Sequence, residues 1–191
     1  MMFSKILGLA TVFAGVASAL PAPAPATAQI IPRSSNGTSS GQTTGGGVTI
    51  VNNLGQDLYA WSVSDQADST MHTLSANGGT YSETWQTNPN GGGVSIKLAT
   101  EPEQTDVLQY EYTLSSDTIF WDLSCINMGT SSEFTSKGFA VTSDDGSCPT
   151  ATCAPGDKAC ADAYLIPTDD HATHGCPSHD NFVLNIGSNG N

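Results

Sequence analysis

Two acidic residues and two histidines lie close together near the end of the sequence, at Asp169, Asp170, His171 and His174. Carboxylate oxygens and imidazole nitrogens are ligands that borderline divalent metals such as zinc and copper accept. The hypothesis that follows is a metal site formed by Asp170, His171 and His174. A loop does not fix the relative direction of two histidines as a helix does, so exposed histidines without a ligand are the interpretation that we favour, and the metal site is the alternative.

The elements that must position these residues have the pattern of short strands. Residues 48–51 and 58–63 flank the turn-forming run 52–55, which predicts a hairpin. Residues 108–114 and 119–123, joined by a short polar turn, predict a second hairpin. No window keeps a helical period for ten residues, so the sequence predicts an all-β fold, an antiparallel β-sandwich.

The N-terminus has the pattern of a secretory signal peptide over residues 1–19. Lys5 supplies the positive start, residues 6–16 a short apolar run, and Ala17-Ser-Ala19 a small-residue cleavage site. This run is much shorter than the roughly 20 apolar residues that a membrane span needs. We therefore expect an exported protein with no membrane span.

Residues 20–47 are rich in Pro, Ala, Ser, Thr and Gly, and we expect a pro-peptide and a disordered leader there. Asn36-Gly-Thr38 is an N-glycosylation sequon on this leader, with an unmodified linker as the alternative. The folded part is then one domain over residues 48–187, which is long enough to bury a core.

The chain is strongly acidic, with 18 acidic and five basic residues and a formal net charge of −13. If processing removes Lys5 and Arg33, only three lysines and no arginine remain. Few phosphate contacts are then available, which argues against nucleic acid and anionic membranes as partners. We also expect no cofactor, because the glycine runs 45–47 and 91–93 precede neither a helix nor a Lys-Ser/Thr pair.

Several runs of residues resemble the thaumatin-like proteins. They are Glu111-Tyr-Thr-Leu114, Trp121-Asp-Leu-Ser124, Cys160-Ala-Asp-Ala-Tyr164, Pro167-Thr-Asp-Asp170 and Cys176-Pro177. More specifically, the sequence resembles the short secreted members from fungi, the yeast-phase-specific antigen group. This resemblance implies a thaumatin-like β-sandwich in which the second domain of the long plant members is reduced to a disulfide-braced C-terminal loop.

Five cysteines in an exported chain predict disulfide bonds, but four cysteines allow three connectivities and the sequence does not choose among them. The resemblance implies nested pairs, Cys148 with Cys176 and Cys153 with Cys160. Cys125 is left over, either as a buried thiol or as a site of intermolecular linkage.

A further disulfide of the family is missing from this sequence. Leu54 stands where relatives commonly have one cysteine, and one of residues 185–187 stands where they have its partner. In the family this bond ties the two ends of the domain together.

The longer family members have a cleft of several carboxylates and an arginine, which is associated with β-1,3-glucan binding and in some with weak glucanase activity. The resemblance implies that Glu111, Asp122 and Asp169 belong to this cleft. Asn127 falls near the position of a further aspartate, and no arginine is left in the mature chain.

Two chemistries follow for these carboxylates. Glycoside hydrolysis needs one protonated and one ionised carboxyl group across the scissile bond, and Glu111 and Asp122 lie on consecutive predicted strands. A polar pair on a solvated face would have the same spacing. Carbohydrate binding, with sugar rings stacked on an exposed Trp61, Trp85 or Trp121, is favoured over hydrolysis. Core packing is the alternative for each tryptophan, and for Trp121, beside Phe120, it is the interpretation that we favour.

We therefore expect a secreted thaumatin-like protein of the cell wall or the surrounding medium, a non-catalytic antigen with β-glucan binding. A weak β-1,3-glucanase and a protein that binds divalent metal are the two alternatives. We expect a monomer whose partner is a cell-wall glucan or a host or extracellular protein.

Overall fold

The computed structural model describes residues 45–65 and 70–187. The predicted signal peptide (residues 1–19), most of the predicted leader (20–47) and the sequon at Asn36 lie outside the described residues. Within the described ranges the chain forms eleven strands and one short helix: β1 (Gly47–Asn52), β2 (Leu58–Val63), β3 (His72–Leu74), β4 (Gly79–Thr84), β5 (Val94–Ala99), β6 (Val107–Ser115), β7 (Thr118–Asn127), α1 (Glu133–Lys137), β8 (Phe139–Ser143), β9 (Ala151–Cys153), β10 (His174–Pro177) and β11 (Asn181–Ile186).

The strands form two sheets, with the orders β4-β1-β11-β8-β9 and β10-β7-β6-β5-β2-β3. Between named strands the pairing is antiparallel throughout, except that β1 and β11 run parallel. The prediction of an all-β sandwich is confirmed. In the described ranges no helix has the length and apolar character that crossing a bilayer requires.

Alternating side chains on both sheets supply the core between them. In β1 and β5, every second residue is buried, as expected for strands with one apolar face. Aromatic rings from the two sheets meet in the middle, where Phe182 of β11 lies 5.4 Å from Trp121 of β7 and 5.7 Å from Trp85, measured between ring centroids. Large buried rings of this kind contribute most of the apolar area that holds two sheets together.

The predicted hairpin between residues 48–51 and 58–63 is wrong. β1 pairs with β4 and β11 in one sheet, whereas β2 pairs with β3 and β5 in the other. The run 52–55 is therefore a connection between sheets and not a turn within one. Asn52 is fully buried there, and its side-chain amide donates to the carbonyl oxygen of Leu74 at 2.9 Å.

The second predicted hairpin is present. β6 and β7 pair from Ser115 opposite Thr118 to Val107 opposite Asn127, with an irregularity between Val107 and Gln109. Ser116 turns the chain in the left-handed region, with φ of 52°. Because the turn is short, the register of these two strands is fixed locally.

A braced segment connects β8 to β10. Disulfide bonds join Cys148 to Cys176 and Cys153 to Cys160, which is the pairing that the resemblance implies. Tyr164 lies between Cys160 and Cys176 in the sequence. It pairs with β7, since its N–H donates to the carbonyl oxygen of Leu123 at 2.8 Å. The loop is thus held against the edge of the six-stranded sheet by covalent and backbone bonds.

Leu54 and Gly187 are neighbours in the fold. A Cβ atom on Gly187 would lie 2.8 Å from Cδ2 of Leu54, which is 3% exposed. The N–H of Asn53 also donates to the carbonyl oxygen of Ile186 at 2.9 Å. The two ends of the domain are therefore joined by packing and a backbone hydrogen bond.

A groove lined by carboxylates on the six-stranded sheet

Glu111 of β6 and Asp122 of β7 lie directly opposite each other in the sheet. Their neighbours Tyr110 and Trp121 are buried in the core. Because successive side chains of a strand point to opposite faces, Glu111 and Asp122 lie on the outer face of the sheet. Directly opposed residues have Cβ atoms about 4.5–5.5 Å apart, so the two carboxyl groups are within reach of one ligand.

The two carboxyl groups lie in a groove of about 500 Å³. A third carboxylate, Asp65, two residues after the end of β2, also lines the groove, and no motif in the sequence marks it. The other lining residues are small, hydroxylic or apolar: Val63, Ser64, Gly93, Val94, Ser95, Tyr112, Thr113, Phe120 and Thr173. Among the described lining residues the charged groups are all carboxylates, and the charge of Lys97 acts on Glu111 from outside the lining.

Burial and mutual repulsion raise the pKa values of the opposed pair. The pKa of Asp122 rises to about 7, first because burial disfavours its charge and second because Glu111 is close. Oδ1 of Asp122 is buried and has no hydrogen-bond partner among the described residues. Burial also raises the pKa of Glu111, while Ser95 and the charge of Lys97 oppose that rise. Near neutral pH the groove therefore holds one carboxyl group that readily accepts a proton.

Polar contacts hold the floor and one wall of the groove. Ser95 donates to the side chain of Gln109 at 3.1 Å, and Gln109 donates to Asn127 at 3.1 Å. Asn127 thus serves as a structural acceptor near the position where the family has an aspartate. On the wall, the hydroxyl groups of Tyr164 and Thr173 share a hydrogen bond, which ties the disulfide-braced loop to a groove residue.

The expectation that a tryptophan is exposed for sugar stacking is wrong. Trp61, Trp85 and Trp121 are 6%, 9% and 1% exposed, respectively. The exposed aromatic ring of the groove belongs to Phe120, two residues before Asp122, which is 44% exposed. An apolar ring and a pair of carboxyl groups therefore lie on the same face of the six-stranded sheet.

Asp169 does not line the groove. Its carboxylate closes a local turn by accepting hydrogen bonds from the N–H groups of Leu165 and Ile166, at 2.8 and 3.1 Å. These bonds lower the pKa of Asp169. The structure brings together two of the three predicted cleft carboxylates, Glu111 and Asp122, and assigns a structural role to the third.

The structure does not gather Asp170, His171 and His174. The ring of His174 packs at 4.6 Å from Trp121 on the core side of β10, whereas His171 is exposed and lies 6.0 Å from the ring of Tyr164. Among the described residues, the group with metal-ligand spacing is Cys148, Cys176 and Asp180. The two sulfur atoms of that group are joined in a disulfide and are not thiolate ligands.

Cys125 is the free cysteine of the described chain. It is half-buried and packs against the core. Burial raises the pKa of its thiol to about 11, so little thiolate is present at neutral pH. This placement agrees with the interpretation of Cys125 as a buried thiol.

A family model described as Blastomyces yeast-phase-specific protein (Bys1) matches residues 37–188. The chain belongs to this family. Its named relatives are thaumatin-like proteins of fungi. The secreted thaumatin-like protein calA of Emericella nidulans is 48% identical over 189 residues, which cover 98% of this chain and 99% of that protein.

The antigenic thaumatin-like protein of Arthroderma benhamiae is 44% identical over 144 residues, which cover 74% of this chain and 72% of that protein. Among solved structures, the protein elicitor MoHrip2 from Magnaporthe oryzae has the same fold, with a TM-score of 0.61 and 24% identity. The match covers 75% of this chain and 99% of that chain. These similarities establish a secreted thaumatin-like protein with an all-β fold.

Proposed function

We propose that this member of the family binds neutral β-glucan chains of the fungal cell wall in the groove and does not cleave them. The single observation that carries this proposal is the placement of Glu111 opposite Asp122, with the exposed ring of Phe120 beside them. An apolar ring covers the C–H face of a sugar, and carboxyl oxygens accept hydrogen bonds from its hydroxyl groups.

The charge of the groove supports a neutral ligand. Asp65, Glu111 and Asp122 line it without a lysine, so phosphorylated and sulfated polymers are repelled. The raised pKa of Asp122 also favours a hydroxyl-rich ligand, because a protonated carboxyl group both donates and accepts hydrogen bonds. A volume of about 500 Å³ lies within the usual range for small-molecule sites, about 300–1,000 Å³.

The names of the relatives support binding over hydrolysis. The relatives are described as secreted and antigenic thaumatin-like proteins, and neither of these two names describes an enzyme. The opposed pair itself has a spacing close to the roughly 5–5.5 Å between the carboxyl groups of a retaining glycosidase, so sugar release has to be measured beside binding. We therefore propose a non-catalytic, wall-associated or extracellular role.

Retention on insoluble β-1,3-glucan, measured beside the release of reducing sugar from laminarin, tests the proposal. The account predicts retention at pH 5 without release of sugar. Retention should decrease when soluble laminarin competes and should persist in salt, because the ligand carries no charge.

Chitin serves as the control polymer, and the variant Glu111→Gln with Asp122→Asn serves as the control protein. If wild type releases reducing sugar and this double variant does not, the glucanase alternative is established instead. Absence of retention on glucan would contradict the proposal.

A further inference from the structure

A second cavity, of about 360 Å³, lies at the far end of β7. It is bounded by the segment after β7, helix α1, the start of β8 and the loop closed by Cys153 and Cys160. None of its lining residues lines the carboxylate groove. It is therefore a separate candidate site, and the proposed glucan binding does not use it.

The inner wall of this cavity is mainly apolar. Phe139 and Cys160 form its buried part, with 2% and 3% exposure, and Met128, Leu165 and the thiol of Cys125 are half-buried beside them. Methionine and cysteine side chains adapt to ligands of different shape. The cavity is of the size and character that bind small apolar molecules.

The outer wall is polar. A smaller depression of about 270 Å³ adjoins the cavity, and Thr130, Thr135 and Lys158 line both. The remaining walls of the depression carry three serines and a glycine: Ser131, Ser132, Ser136 and Gly156. The apolar wall of the cavity thus continues into the polar wall of the depression. This arrangement suits a ligand with an apolar body and a polar end.

Lys158 lies where the two surfaces meet. It is one of three lysines in the described chain and makes no salt bridge with a described acidic residue, whereas Lys137 is 3.8 Å from Glu133. Asp157 also lines the cavity, and its Oδ1 is held in a local turn, where it accepts from the N–H of Ala159 at 2.9 Å. A lysine at the mouth of an apolar cavity is suited to pair with a carboxylate.

We propose that this cavity, named here the Cys125 cavity after its thiol, binds a small amphiphilic carboxylic acid. The hydrocarbon part fills the space between Met128, Phe139 and Leu165, and the carboxylate pairs with Lys158. Straight-chain fatty acids and arylalkanoic acids share this chemistry. Decanoate and 4-phenylbutyrate serve as probes that distinguish the two sources.

The rate of alkylation of Cys125 by N-ethylmaleimide, measured on the intact disulfide-bonded protein, reports occupancy of the cavity. The structure predicts that decanoate or 4-phenylbutyrate slows this alkylation in a saturable manner. Whichever acid binds more tightly identifies the shape of the apolar part. Decanol, which lacks the charge, should protect with roughly tenfold lower affinity.

Lys158→Gln should weaken the protection by decanoate roughly tenfold, because a charge-assisted hydrogen bond is lost. Lys137→Gln is the matched control, since Lys137 is also an exposed lysine, at the end of helix α1, but does not line the cavity, and it should leave the protection unchanged. A second variant, Thr130→Trp, places a large side chain at the exposed mouth and should abolish protection without touching the core.

Unchanged alkylation in the presence of both acids would overturn the proposal. Equal protection by decanol and decanoate, or equal protection in wild-type protein and Lys158→Gln, would also overturn it, because the assignment of the carboxylate to Lys158 would be wrong.

Discussion

Asp122 lies directly opposite Glu111 on the outer face of the six-stranded sheet, and this neighbour is one of the two reasons why the pKa of Asp122 rises to about 7. The other and larger reason is burial. A carboxyl group in this situation binds its proton more tightly in the folded protein than in the unfolded chain. The groove that we assign to glucan is therefore also a source of pH-dependent stability.

The substitution Asp122→Asn should remove this dependence. Since the pKa of Asp122 is raised from 3.8 to about 7 on folding, its contribution to stability is full below about pH 4 and is lost as the pH rises through 7. Asparagine does not titrate. We compare the free energy of unfolding of the variant with that of wild type at each pH. The difference, variant minus wild type, should be about 1–3 kcal/mol larger at pH 8 than at pH 4.

Urea denaturation of both proteins between pH 4 and pH 8 measures this difference. Asp117→Asn, in the exposed turn between β6 and β7, removes a carboxyl group outside the groove and is the control. If the difference in free energy of unfolding between Asp122→Asn and wild type does not change with pH, the pKa of Asp122 is not raised in the folded protein.

Asp169→Asn should show the opposite sign. The N–H groups of Leu165 and Ile166 lower the pKa of Asp169, so its contribution to stability is present above the pKa of the unfolded chain and is lost as the pH falls through the folded value. The variant should melt at a lower temperature than wild type at pH 7. The two melting temperatures should converge as the pH falls through the lowered pKa of Asp169, and a constant gap would argue against the bonded carboxylate.

Gly187→Ala should be more destabilising than Gly156→Ala. Both glycines have positive φ, 74° and 84°, so alanine is strained at either position. A Cβ atom at Gly156 meets open space, whereas one at Gly187 meets Leu54. We expect losses of about 1 kcal/mol for Gly156→Ala and about 2–3 kcal/mol for Gly187→Ala.

The extra loss at Gly187 should shrink in a Leu54→Ala background, because the clash is then relieved. Thermal or urea denaturation of the two single variants and the double variant gives the coupling directly. Additive losses would mean that Leu54 and Gly187 do not pack against each other in solution.

The placement of Glu111 beside Asp122 depends on the turn between β6 and β7, and this turn was predictable from the local sequence. The short connection between β6 and β7 sets their register, so Glu111 and Asp122 were correctly expected on adjacent strands. Asp65 was missed because it reaches the groove from β2, a strand distant in sequence, and no motif marks it.

Pairings between distant segments were not predictable from local pattern. β1 pairs with β11, more than 130 residues later, and a turn-forming run cannot show whether the chain stays in one sheet or crosses to the other. The burial of Trp61 was hidden for a related reason: alternation assigns Trp61 to the outer face of β2, but does not reveal that Ala99 and Val107 pack around it.

The central claim is that the opposed carboxyl pair and Phe120 form one binding surface for β-glucan. The most direct measurement is a calorimetric titration with laminarin oligosaccharides at pH 5, on wild type, Asp122→Asn, Phe120→Ala and the control Asp117→Asn. The account predicts saturable binding by wild type and the control, and a loss of roughly tenfold in affinity for each groove variant. Equal affinity in all four proteins, or no binding by wild type, would contradict it.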